Sequence, residues 1–274
     1  MDITPFIGVE LGGYGYYLNR KAETIHDPLY ARSVMLDNGR ERVVLIANDL
    51  VGVTKQTVDR ARSLINYKIG IKKENIIVCA SHTHSGPATG GLRGLGEPNV
   101  EYLDILPIRI ATAAIIAAEN LKEAKIGFGR GKIANMSYNR EENPNWWIEV
   151  KRKGTIDPEV DIIRIDDMKG ESLAILFNFA CHGIVIDYRT EKGKAVSADY
   201  PGYAQRVEGP GGVMKTQMVE PIKVVDSIKP VQLTNPKPSV YVYDMGQNIA
   251  GWCRLNVEGP RGDGGGAKVC RNSP

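Results

Sequence analysis

Two short runs rich in β-branched residues, "RVVLIAND" at 42–49 and "NIIVCA" at 75–80, bracket a single amphipathic stretch. Few folds accommodate that order. Each run is apolar without clean alternation, as expected of a strand covered on both faces. Between them, "TKQTVDRARSLINYKIG" places Val58, Ala61, Leu64 and Ile65 at helical spacing. Thr54 is suited to the N-cap and Gly70 to the stop. Strand, helix and strand in succession predict an α/β unit.

The surrounding sequence extends that pattern. "GPATGGLRGLGEPN" (86–99) predicts a mobile glycine-rich loop, and the apolar stretch from Val100 to Ala124 a long helix that Pro107 should kink or interrupt. "KIGFGRGKI" reads as a further strand, and "EVDIIRIDD" and "ESLAILFNFA", joined by "MKG", as an antiparallel hairpin. The fold class expected is α/β, a mixed β-sheet with flanking helices. After Tyr203 the helical signal stops. A Gly/Pro-rich junction at 209–217 leads to strand-like runs within 218–262, "SVYVYDMG" and "WCRLNVEGP", and 263–274 has the composition of an unfolded tail.

Composition narrows function mainly by exclusion. With 274 residues, 42% of them hydrophobic, the chain can build a sizeable core. A net charge of +3 without a basic tract gives no reason to expect nucleic acid as a partner. No signal peptide and no membrane-spanning run is evident, which predicts a soluble, cytoplasmic chain. Cys79, Cys181, Cys253 and Cys270 form no C-x-x-C pair, and reduced core cysteines are expected. No G-x-S-x-G, P-loop or dinucleotide fingerprint is present, and the glycines of "GVELGGYGYY" read as a turn-rich loop.

The chemistry gathers at strand ends. "NIIVCA" runs into "SHTHSGP", which puts His82 and His84 two residues apart, and in extended backbone that spacing sends both rings to one side. "LAILFNFA" ends at "CHG", and so at His182, while "RVVLIAND" ends at Asp49. Ligands of open α/β sheets collect at the carboxyl ends of strands. Neutral imidazole is a good zinc ligand, and a catalytic zinc takes three protein ligands. His26 in "IHDPLYAR" either pairs with Asp27 or faces the same cavity. Arg140 in "SYNR" is a surface charge or, in a pocket, a fixed cation for an oxyanion.

Taken together, "IHDPLYARSVMLDNG", "ASHTHSGP", "MSYNR", "NFACHGIVI" and "SADYPGYA" resemble the N-terminal catalytic region of the neutral ceramidase family, over about residues 1–206. The resemblance implies a hydrolytic α/β domain, here 1–208, in which a zinc ion activates water for attack on a fatty-acyl amide. It implies His82 and His182 as zinc ligands, His84 as the second-shell or catalytic histidine beside the metal, and Arg140 as the catalytic arginine that helps hold the substrate's polar group; His26, facing the cavity, is the candidate for substrate binding. The family completes its zinc shell with a glutamate and a tyrosine from downstream of "SADYPGYA", so from 1–206 alone the shell is incomplete. Residues 218–262, with "YDMGQNIAGW" the most specific part, resemble the β-sandwich segment of bacterial alpha-L-rhamnosidases. The whole reads as a chimeric join near Gly209 to Gly212, of the kind metagenomic DNA can yield.

The function expected is therefore a zinc-dependent hydrolase of an acyl ester or amide, with a small-molecule acyl substrate as its partner. Two alternatives stand beside it: an incomplete scaffold that at most binds a lipid or sugar, and a metal-independent esterase using Ser85 or another exposed serine with a histidine. Oligomeric state is not legible in the sequence.

Overall fold

The computed structural model describes residues 1–14, 19–91, 94–139, 154–186, 191–206, 232–237 and 240–244. The chain divides into two compact units, Met1–Val219 and Glu220–Pro274. In the first, the strands are β1 (Thr24–Ile25), β2 (Ala31–Asp37), β3 (Arg42–Asn48), β4 (Ile76–Ala80), β5 (Ala124–Lys132), β6 (Glu159–Asp167), β7 (Ser172–Phe179) and β8 (Ala195–Val196). Its α-helices are α1 (Lys55–Ile69), α2 (Val100–Glu119) and α3 (Asp199–Arg206).

The expected strand–helix–strand unit is present as β3, α1 and β4. β3 and β4 run parallel, with Ile46 opposite Val78, and β2 pairs antiparallel with β3 on its other side. Thr54 caps α1 by accepting the Thr57 amide, and Gly70 closes it at φ 71°, a left-handed position that glycine occupies without steric cost. The buried stripe of α1 is Thr57, Ala61 and Ile65, with Val58 and Leu64 partly covered. α2 runs unbroken through Pro107, contrary to the expected interruption. Pro107 is buried with Leu106 and Ile110, and packing there outweighs the one amide bond that proline withholds. The core lies between the two helices and one face of the β2–β3–β4 sheet, and includes Val44, Ile46, Ile65, Ile76, Leu106 and Ile110.

One expectation about strands is corrected. β3 and β4 are covered on one face only: burial alternates along β3, and on β4 both Ile77 and Cys79 are exposed. Cys79 is therefore no core cysteine, although partial burial still raises its thiol pKa. Cys181 is half-buried, and Cys253 and Cys270 lie outside the described residues. The expected mixed sheet with flanking helices is present as β2–β3–β4 with α1 and α2, and the other described strands form further small sheets. β5–β6–β7 is an antiparallel sheet, with the predicted hairpin between β6 and β7, and β1 and β8 form a parallel pair.

The loop at 86–99 is packed where described. Ala88 and Thr89 are buried, the Ala88 amide donates to the Glu10 carbonyl over 2.8 Å, and Thr89 Oγ1 donates to the Gly52 carbonyl over 2.7 Å. Among the described residues no helix is long and apolar enough to cross a membrane. In the second unit, β9 (Gln232–Lys237) and β10 (Val240–Asp244) form an antiparallel pair. The expected junction at 209–217 and tail at 263–274 lie outside the described residues.

Candidate metal centre

The ends of β4 and β7 are drawn together by backbone contacts. After β4, the Ser81 amide donates to the Asn48 carbonyl and the His82 amide to the Leu50 carbonyl, each over 2.9 Å. After β7, Gly183 forms a parallel bridge with Thr83, and its carbonyl accepts the His84 amide over 3.1 Å. A Cβ on Gly183 would stand 3.1 Å from the His82 carbonyl oxygen, so a side chain there would require the two segments to part by a few tenths of an ångström.

His82, His84 and His182 converge as a result. One ring nitrogen from each lies within 4.8 Å of the other two. The Nε2 atoms of His82 and His84 are 3.4 Å apart, and the His82 and His182 rings stack at 4.7 Å with an interplanar angle of 12°. The convergence expected of the H-x-H spacing is present, but its backbone cause differs. His82 has φ 64°, a left-handed conformation that costs a non-glycine residue about 1–2 kcal/mol. An extended strand is therefore not what aligns the rings.

The geometry suits a cation. His82 Nδ1 lies 2.6 Å from the Val51 carbonyl, which can only accept, so Nδ1 carries the proton and the Nε2 lone pair faces the other rings. His82 is exposed, His182 half-buried and His84 buried, which leaves the group open to solvent on one side. Neutral imidazoles at this spacing are a fitting donor set for zinc.

His84 is backed by the N-terminal glycine loop, whose part the sequence left unread. A Cβ on Gly13 would fall 2.5 Å from the His84 Cγ. The Tyr14 ring meets the His84 ring edge-on at 5.0 Å, and its hydroxyl donates to the Ile186 carbonyl over 2.6 Å. Arg20, 6% exposed, lies over the Tyr14 ring and donates to the carbonyls of Gly12, His84 and Gly193. Burial lowers its pKa to about 10.

The loop that carries His182 is held by α3. The buried Asp199 carboxylate accepts the amides of Val185, Ile186 and Tyr200, and the Tyr200 hydroxyl donates to the Cys181 carbonyl over 2.7 Å. "SADYPGYA" is thus a clamp on the loop that carries His182. No local sequence signal marked Arg20, which acts on segments far away in the chain, and Asp199 lay within a quoted motif that assigned it no part.

The other candidates are placed as follows. Asp49 is 1% exposed, bonded to the Tyr30 amide and paired with Arg32 at 2.7 Å, and it is not one of the clustered ligands. Burial raises its pKa, with Arg32 opposing that rise. His26 is exposed and its Nε2 lies 2.8 Å from the Tyr203 hydroxyl, whereas Asp27 accepts from Ser197 Oγ and the Ala198 amide. Ser85 is fully buried and its hydroxyl has no hydrogen-bond partner, so Ser85 itself lacks the base a nucleophilic serine needs. Arg140 lies outside the described residues.

The comparisons with known proteins follow the same division of the chain. The family described as neutral/alkaline non-lysosomal ceramidase, N-terminal, matches residues 1–225, and that described as bacterial alpha-L-rhamnosidase concanavalin-like domain matches 234–264. A neutral ceramidase of Pseudomonas aeruginosa is 28% identical over 71% of this chain and 30% of its own length. Neutral ceramidase B of Dictyostelium discoideum is 27% identical over 77% of this chain and 31% of its own. The crystal structure of the Pseudomonas aeruginosa neutral ceramidase shares the fold, with a TM-score of 0.63 and 24% identity over 74% of this chain and 34% of that one. The chain spans about a third of the length of these relatives. With the family match covering β1 to β8, the three helices and all three clustered histidines, this chain belongs to the neutral/alkaline non-lysosomal ceramidase family.

Proposed function

We propose that this chain is the metal-binding part of a hydrolase that cleaves an acyl amide or ester, with zinc held by His82 and His182. The observation that carries the reading is the convergence of three imidazoles from two strand ends. When bound, a zinc ion supplies Lewis acidity toward a substrate carbonyl. The residues themselves do the rest. The Val51 carbonyl orients His82, the Asp199 clamp orients His182, and exposure at His82 leaves a side from which an acyl substrate can enter. Arg140 keeps the part its family position implies, steadying negative charge on the substrate's polar group.

The acyl chain is assigned from the ceramidase relatives, and esters are included because they cleave more readily than amides. The test is elemental analysis of protein purified without a metal-affinity tag, with p-nitrophenyl acyl-ester hydrolysis followed through chelation and zinc restoration. One zinc per chain is expected, together with activity that falls and returns. His82→Ala and His182→Ala should each abolish both metal and turnover. Hydrolysis indifferent to chelation, or untouched by His82→Ala, overturns the reading.

A further inference from the structure

We infer that Arg20 is a positioning residue for the site: its guanidinium ties the N-terminal hairpin to the His84 segment and to the turn before β8, and so sets where the His84 ring stands. The inference rests on the hydrolase reading, in which His84 is the histidine beside the metal, and it adds a residue that touches neither metal nor substrate.

Arg20 lies on the returning side of a short hairpin, where the Leu11 amide donates to the Arg20 carbonyl over 2.9 Å and Glu10 bridges antiparallel to Lys21. Its side chain turns inward. Nη2 donates to the carbonyls of Gly12 at 2.8 Å and His84 at 2.5 Å, and Nη1 donates to that of Gly193 at 3.0 Å. Those three carbonyls belong to three separate stretches: the hairpin, the segment after β4, and the Glu191–Lys194 turn that leads into β8. A buried cation is costly unless it is paired. Among the described residues no carboxylate pairs with Arg20, and carbonyl dipoles with the Tyr14 ring, 4.8 Å away, take that place. Only a planar fork with several donors spans three carbonyls at once, whereas a lysine ammonium is a compact point charge.

The contacts converge on His84. Both polar groups of its backbone are engaged, the amide donating to the Gly183 carbonyl over 3.1 Å and the carbonyl accepting from Arg20. Tyr14, on which the guanidinium stacks, meets the His84 ring edge-on. The hydroxyl of that tyrosine donates to the Ile186 carbonyl over 2.6 Å, while Asp199 accepts the Ile186 amide over 2.9 Å. Arg20 thus acts on the His84 segment directly and on the loop after His182 through one intervening side chain. A functional side chain keeps its orientation only when its supports are themselves fixed, and loss of such a support costs roughly 10–100-fold in activity.

The experiment compares the full-length wild type with Arg20→Lys and Arg20→Gln, with zinc added and thermal unfolding followed to confirm that each variant is folded. NMR of ring-labelled histidine is the first readout, since the chain has only four histidines and His26, exposed and bonded to Tyr203, serves as an internal reference. In both variants the His84 ring signals should shift or broaden while those of His26 stay in place, because Arg20→Lys keeps the charge but loses the fork. With a p-nitrophenyl acyl ester, kcat should fall roughly 10–100-fold while KM and zinc content stay near wild type. A second measurement needs no variant: in nitrogen-15 arginine-labelled wild type, a pinned Arg20 gives separate Nη signals and a freely rotating one gives averaged signals. Averaged signals, unmoved His84 resonances in a folded variant, or full activity in Arg20→Lys overturn the inference and leave the hydrolase reading standing. Displaced His84 signals in variants of a chain whose wild type hydrolyses no ester uphold the positioning while that reading fails.

Discussion

Gly13 and His84 show how one hydrogen atom in place of a methyl can decide a site. Gly13→Ala would set a Cβ 2.5 Å from the His84 Cγ, at a φ of 108° that side chains already resist. The variant should fold, with His84 displaced and metal affinity reduced at least about 10-fold, the scale of a disturbed supporting contact. Metal titration beside wild type checks this, and unchanged affinity would count against the back-wall assignment. Tyr200 carries a pH prediction. Burial, foremost, raises its pKa to about 12 from the ordinary value of 10.0. The folded state therefore favours the protonated phenol, and the resulting stability is complete below pH 10 and lost as pH rises toward 12. Absorbance at 295 nm should show this tyrosine titrating late or only with unfolding, and Tyr200→Phe should remove that late step.

At the scale of elements, α3 acts on a loop rather than on substrate. Asp199 sits at φ 55° and accepts amides from both its own helix and the segment after His182. Asp199→Ala leaves several amides without their acceptor, which should cost about 2–4 kcal/mol of stability. Urea denaturation measures the cost. Stability within about 0.5 kcal/mol of wild type would mean that the clamp is dispensable. The α1 cap offers a smaller contrast. Thr54→Ala should cost about 1 kcal/mol and leave metal binding alone, because the helix start lies apart from the imidazoles.

At the scale of the molecule, apolar surface is unevenly covered. The helices bury one face of β2–β3–β4, while Ile77 on the other is 47% exposed. On the β5–β6–β7 sheet Phe128 is 57% and Ile175 51% exposed. Phe128 and Ile175 lie on opposite faces of that sheet, and exposed apolar side chains on a sheet face promote association. Sedimentation velocity should show concentration-dependent self-association that Phe128→Lys weakens, and a monomer at every concentration would contradict this. Charge plays a smaller part, since +3 spread over mixed residues leaves no dominant field.

The parts legible in the sequence are those fixed by local physics. Helical periodicity, the Thr54 cap and the Gly70 stop defined α1, β-branched runs marked β3 and β4, and polar links marked the β6–β7 hairpin. Histidine at two strand ends was enough to nominate His82, His84 and His182, and the family motifs named the relatives. Tertiary structure decided what depends on segments remote in the chain. The Thr83–Gly183 bridge joins strand ends a hundred positions apart, Arg20 reaches the His84 carbonyl, and Asp199 grips the loop after His182. It also turned His82 left-handed and left Cys79 exposed, because burial depends on what packs against a strand and not on how apolar the strand is. Periodicity acts between neighbours in sequence. A metal centre is set by which backbones can approach, and here glycines at 13 and 183 permit that approach.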